Sequence, residues 1–292
     1  MRRLIVNADD FGVTAGVNCA IVEANQRGIV TSATIMASGR AFDDAAELAH
    51  TAKQRSAHFG VGCHVVLVDG TPLLPPEQIP SLLERTGELP QFRKTLNSFA
   101  IAALSGRLNP NEIEAEAAAQ IRRVQRAGIA VSHVDTHKHA HMLPSVLRPL
   151  LSAARACGIT AVRNPFEPVF FRPAGQGGWM LRKRRWQMRL LRRRGARFRR
   201  EVAAHGMRTT DGSLGVLVTG VLDIDLFVQI VSNIPDGTWE FVCHPGYNDR
   251  DLDQIRTRLR ESRQQELNVL TSPEAKAVVR ERGIELISYH EL

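Results

Sequence analysis

The chain has 292 residues, 43% of them hydrophobic, and carries a net charge of +8, enough for one large α/β domain with a substantial core or for two modest ones. Its longest apolar runs, such as VGCHVVLV at 61–68, fall short of the roughly 20 apolar residues of a membrane-spanning helix. The sequence MRRLIVNADDFG turns acidic too early to hold the apolar centre of a signal peptide, so a cytoplasmic protein is expected.

The charge is local. Residues 182–200 hold eleven Lys and Arg and no acid, which leaves the rest of the chain at −3. Cys19, Cys63, Cys157 and Cys243 show no paired spacing and are expected as small buried hydrophobes rather than as a zinc knuckle or a disulfide framework.

In chain order, LIVNA (4–8) predicts a first strand, Thr14 can cap a helix that Gly28 closes, and IVTSATIMA (29–37) predicts a return strand. A helix over 41–53, a strand at 59–67, helices over 92–104 and 111–127 and a strand at 131–137 follow. Pro144 opens a further helix. Strands are expected at 159–163, 214–219, 239–243 and 284–288. Strands alternating with amphipathic stretches indicate a parallel sheet. Seven or eight strands, mostly parallel, favour an irregular (β/α) barrel over an open sheet, read as a single catalytic domain spanning 1–292. The loop at 67–83 and a basic insertion at about 168–208 interrupt the alternation.

Polar clusters are read as falling where strands end: Asp9-Asp10 follows the first, His64 the third, Asp135 to His141 the next, and His244 a late one. In a barrel, strand C-termini converge on one face, so these clusters can meet. Two adjacent carboxylates repel and push one pKa upward, a cost that a bound cation removes. Asp10, His64 and His137 would make a three-ligand site with open positions for water and substrate, leaving Asp9 as a base. On an extended strand Asp135 and His137 would share a face, one supporting the other or touching substrate. His139 and His141 follow the strand and are substrate-binding or supporting candidates that parity does not assign.

NADDFG (7–12), GCHVVLVDG (62–70), PLLPPEQIP (72–80), DTHKHAHMLP (135–144), AVRNPFEP (161–168) and FVCHPGYND (241–249) together resemble the YdjC-like carbohydrate deacetylases, also called the ChbG/HpnK family. The loops at 68–80 and 164–168 are most similar to the hopanoid-associated HpnK branch. The resemblance implies one divalent ion held by Asp10, His64 and His137, with Asp9 as the base and Arg163 and His244 at the site. Related polysaccharide deacetylases use a late histidine as acid, which His244 resembles in chain order. Zinc or magnesium is the favoured ion, with manganese, cobalt and nickel open.

The implied reaction is removal of the acetyl group from an N-acetylated sugar, such as the N-acetylglucosaminyl headgroup of a hopanoid lipid. The ion polarises the carbonyl and activates water, Asp9 takes the proton, Arg163 keeps Asp9 ionised, and His244 protonates the leaving amine. Rival readings are a chitooligosaccharide deacetylase, a metal-dependent phosphoesterase, a non-haem iron oxygenase and, outside enzymes, a nucleic-acid-binding protein. Against the last, the positive charge is confined to one segment and no nucleic-acid motif accompanies it, so no nucleic-acid partner is expected. WMLRKRRWQMRLLRRRGARF (179–198) mixes Trp179, Leu181, Trp186, Met188, Leu190, Leu191 and Phe198 with arginine. It is read as an interfacial helix giving peripheral contact with the inner face of the cytoplasmic membrane, against a lid or a homo-oligomer contact.

Overall fold

A computed structural model describes residues 1–56, 58–84, 91–168 and 194–292. The elements run β1 (Arg2–Phe11), α1 (Ala15–Arg27), β2 (Ser32–Ile35), α2 (Phe42–Arg55), β3 (Gly60–Val65), a short hairpin of β4 (Leu83–Glu84) and β5 (Gln91–Phe92), α3 (Leu96–Leu104) and α4 (Pro110–Arg126). Then come β6 (Val134–Thr136), a 3₁₀ turn (His137–Met142), α5 (Pro144–Ala156), α6 (Gly195–Ala204), β7 (Gly212–Leu214), α7 (Ile224–Ser232), β8 (Gly237–Cys243), α8 (Arg250–Asp253), α9 (Glu261–Thr271), α10 (Pro273–Glu281) and β9 (Ile284–Leu286).

Seven strands form one parallel sheet in the order β6-β3-β2-β1-β8-β7, with β9 beside the start of β1. The sheet curls into a half-barrel. Residues 160–163 bridge its two edges: Val134 N–H donates to Ala161 O and Arg163 N–H to Val134 O, while Val162 N–H donates to Arg208 O on the far side. The predicted strand at 159–163 is thus reduced to isolated bridges, because its partners lie on two separated edges.

Alternation along β1 sets the two faces of the sheet. Leu4, Val6 and Ala8 pack under the helices in the main core, whereas Ile5 joins Ala161, Ile287 and Tyr289 in a separate cluster. Asn7 and Asp9 share the Ile5 parity and are buried. Thr14 caps α1 by accepting from Val17 N–H, as predicted.

Other expectations need correction. The strand expected at 214–219 ends at Leu214, because Gly215 turns the chain with φ +87° and a Cβ there would lie 2.4 Å from the Val242 carbonyl oxygen. The helix expected over 92–104 starts at Leu96, since Phe92 pairs in the hairpin and Thr95 supplies the cap. Of the cysteines, Cys63 and Cys243 are buried, but Cys157 is half-buried and Cys19 is exposed. Residues 179–193 of the basic stretch lie outside the described residues. Phe198, counted there among surface apolar groups, is buried beside Phe166, with ring centroids 5.6 Å apart.

Candidate active site

Neighbouring residues on a regular strand point to opposite faces, so Asp9 and Asp10 should part. They do not, because the pairing of β1 with β2 shifts register between Ala8 and Phe11 and Asp10 takes a left-handed φ of 68°. This bulge brings both carboxylates into one cleft of about 1140 Å³, whose lining includes Asp9, Asp10, His64, His137, His139 and His244. Lys138 and His139, just after β6, are left-handed as well, at φ 57° and 52°. His137 therefore lies beyond the strand, where the parity argument no longer governs it.

Three donor atoms face one another. His64 Nε2 is 3.6 Å from Asp10 Oδ1, His137 Nδ1 is 3.5 Å from the same oxygen, and the two nitrogens are 3.3 Å apart. Ligands at tetrahedral angles around an ion bound at about 2.0–2.1 Å are about 3.4 Å apart, so the spacing suits a small divalent cation. Asp10 Oδ1 is buried without a hydrogen-bond partner, although Arg263 on α9 donates to Asp10 Oδ2. Buried polar atoms are seldom left orphaned, and an orphan aimed at two imidazoles is what a cation site presents. Burial opposes charge on Asp10, but Arg263 and then His137 hold its carboxyl well below the usual range.

The second half of the site is closed. His64 Nδ1 lies 2.7 Å from Asp135 Oδ1; a carboxylate accepts, so Nδ1 carries the proton and Nε2 is turned toward Asp10. Burial disfavours a charged His64, yet Asp135 foremost, with Asp9, raises its pKa to about 9. Arg163, fully buried, donates through Nη1 and Nη2 to Asp9 at 2.8 and 2.6 Å, through Nε to Glu240 at 2.9 Å, and pairs with Asp135. Asn7 and Thr34 add further donors to Asp9 Oδ1. Burial works against an ionised Asp9, but Arg163 outweighs it and holds the carboxyl far below its ordinary value.

The remaining candidates divide. His139 lines the cleft with Nδ1 unpartnered among the described residues. His141 is buried behind it, with Nδ1 2.6 Å from the Thr136 hydroxyl and Nε2 3.2 Å from the Arg163 carbonyl, so it braces the segment that carries Arg163. Burial first, then Arg163, pushes the His141 pKa down to about 3, leaving the ring neutral. His244 reaches from the end of β8, its Nε2 3.9 Å from Asp9 Oδ2, while Glu266 accepts from its backbone N–H at 2.6 Å.

Sequence reasoning missed Arg263, Glu240, Glu266, Thr34 and Tyr289, whose hydroxyl donates to Glu240 at 2.6 Å. Glu240 did give a signal, being a lone carboxylate inside the apolar strand WEFVC. Arg263 gave none, since its helix ESRQQELNVLT is polar on every turn.

The fold and site define a parallel α/β half-barrel with an Asp-His cluster able to hold a metal ion at the strand C-termini. The chain belongs to the YdjC-like protein family, which it matches over residues 3–281. It is 34% identical to a carbohydrate deacetylase from Geobacillus stearothermophilus, covering 99% of this chain and 98% of the relative. A chitooligosaccharide deacetylase from Serratia marcescens is 31% identical over 100% of this chain and 99% of its own. A solved structure from Enterococcus faecalis V583 superposes with a TM-score of 0.75 at 26% identity, covering 99% of this chain and 98% of that one.

Proposed function

We propose that the protein hydrolyses the acetamide of an N-acetylated sugar in the cleft above β1, with Asp10, His64 and His137 holding a divalent cation. The orphaned Asp10 Oδ1, set between two imidazole nitrogens, carries this reading. The carbohydrate deacetylase names of the Geobacillus and Serratia relatives supply the reaction class. When bound, such an ion acts as a Lewis acid toward the acetyl carbonyl and acidifies water. Two imidazoles and one carboxylate favour zinc, cobalt or nickel over magnesium.

Asp9 accepts the proton of the attacking water. Arg163 keeps that carboxylate ionised and oriented, and Asn7 and Thr34 fix its rotamer. His244, on the Asp9 side of the cleft, delivers a proton to the departing sugar nitrogen so that it leaves as an amine. Asp135 sets the His64 tautomer and shares Arg163 with Asp9.

Two substrates stand within this class. The N-acetylglucosaminyl headgroup of a hopanoid lipid is supported by the loops at 68–80 and 164–168, and chitooligosaccharides by the Serratia relative. Acetate release from each, with single metals restored to stripped protein, tests the assignment. Release of acetate from at least one supports it; release of phosphate from a phosphoester with no acetate from either overturns it.

A further inference from the structure

Three of the five large hydrophobic residues most exposed among the described residues sit on one helix: Leu96, Ile101 and Leu104 of α3, at 38%, 60% and 70% exposure. The helix carries no charge. Its first residue, Leu96, lines the active cleft, and its last, Leu104, lines a separate groove with Met142, Leu147, Phe166 and Phe198. α3, roughly 12 Å long, thus runs from one site to the other.

Arginines rim that groove. Arg194 and Arg197 of α6 and Arg148 of α5 line it, and Arg200, a further step of three along α6, lines an adjoining pocket with Arg197. The one carboxylate among them is Glu201, which accepts from Arg148 at 2.9 and 3.1 Å and also feels Arg197. Arg194 and Arg200 have no ion pair among the described residues. Solvated surfaces tolerate single apolar residues, but aliphatic side chains beside an unbalanced row of arginines form an amphipathic face.

We infer that α3 and α6 together dock on an anionic lipid bilayer, with Ile101 and Leu104 entering the headgroup region and the α6 arginines meeting lipid phosphates. Charge complementarity selects an anionic surface, since four cations share one carboxylate. The aliphatic pair selects a bilayer over a nucleic acid, whose phosphates gain nothing from Ile101 or Leu104 and whose bases stack on aromatic rings. The surface uses none of residues 179–193. Because α3 starts at the cleft, docking would hold the cleft mouth close to the membrane; that consequence alone rests on the deacetylase reading.

Co-sedimentation with vesicles tests the docking without any enzyme assay. The full-length protein should bind vesicles of phosphatidylcholine mixed with phosphatidylglycerol, bind pure phosphatidylcholine far less, and release as salt rises. Combining Arg194→Gln, Arg197→Gln and Arg200→Gln should weaken binding on the order of a hundredfold, about fivefold per cation. Ile101→Ser with Leu104→Ser should weaken it by about tenfold. Both variants should keep the wild-type melting temperature and solution mass, which separates lost docking from lost folding. The inference is overturned if the wild type ignores anionic vesicles at low salt, or if either variant binds as the wild type does. It also falls if the serine variant instead splits a dimer, or if the face retains RNA unaffected by the serine changes.

Discussion

Asp9 and Asp10 are adjacent in sequence and buried in the same cleft, yet they sit in opposite environments. Asp9 is enclosed: two Arg163 nitrogens, Asn7 and Thr34 all point at it, and Arg163 in turn answers Asp135 and Glu240. Asp10 spends one oxygen on Arg263 and leaves the other facing two imidazoles with no hydrogen bond. The same residue type, one position apart, is organised for holding a charge in place on one side and for receiving an ion on the other. A strand bulge makes the difference.

The closed half can be broken at Arg163. Arg163→Met would leave three carboxylates buried without their cation, and urea unfolding should show a loss of about 3–5 kcal/mol at neutral pH. A stability change below about 1 kcal/mol would mean that the carboxylates are screened by something other than Arg163.

The open half should break function and spare the fold. His137→Ala should lower kcat/KM for acetate release on the order of 10³-fold, the several kcal/mol expected of a lost Lewis acid, with an unfolding midpoint close to the wild type. A variant that unfolds but keeps its specific activity would reverse these roles. His244→Ala should cost kcat roughly 10²–10⁴-fold on the amide and markedly less on an activated acetate ester, whose leaving group needs no proton. Equal losses on both substrates would make His244 a binding group.

The smallest effect lies outside both halves. Glu167 is buried and accepts the Leu217 N–H at 2.7 Å, and burial raises its pKa to about 8. A carboxyl whose folded pKa is raised binds its proton more tightly in the native state, so its contribution falls as pH rises from about 4.5 to about 8. Glu167→Gln should remove that decline, a difference on the order of 1–3 kcal/mol between pH 5 and pH 8 in urea titrations of the two proteins. Parallel pH profiles would show that Glu167 is ionised throughout.

The parallel α/β fold and the four polar clusters were legible because a strand end announces itself when an apolar run stops at acids or histidines. Asp9, Asp135 and His244 satisfy that pattern, whereas His64 interrupts an apolar run that continues beyond it. What closes the site was less legible. Arg263 and Glu266 come from a helix whose polar residues look solvated, and Thr34 is an ordinary strand threonine. The inward turn of Asp10 depends on a backbone bulge, and the placement of His137 on a turn after β6; neither has a residue-type signature. The segment 159–163 read as a strand because its β-branched residues do favour one, but its partners lie on two separated edges and the ladder never forms.

Zinc titration of metal-stripped protein, followed by calorimetry and elemental analysis, bears most directly on the division between the two carboxylates. One ion per chain should bind the wild type and Asp9→Asn, while Asp10→Ala, His64→Ala and His137→Ala should each lose it; a zinc ion retained by Asp10→Ala or His137→Ala, or lost from Asp9→Asn, would contradict the account.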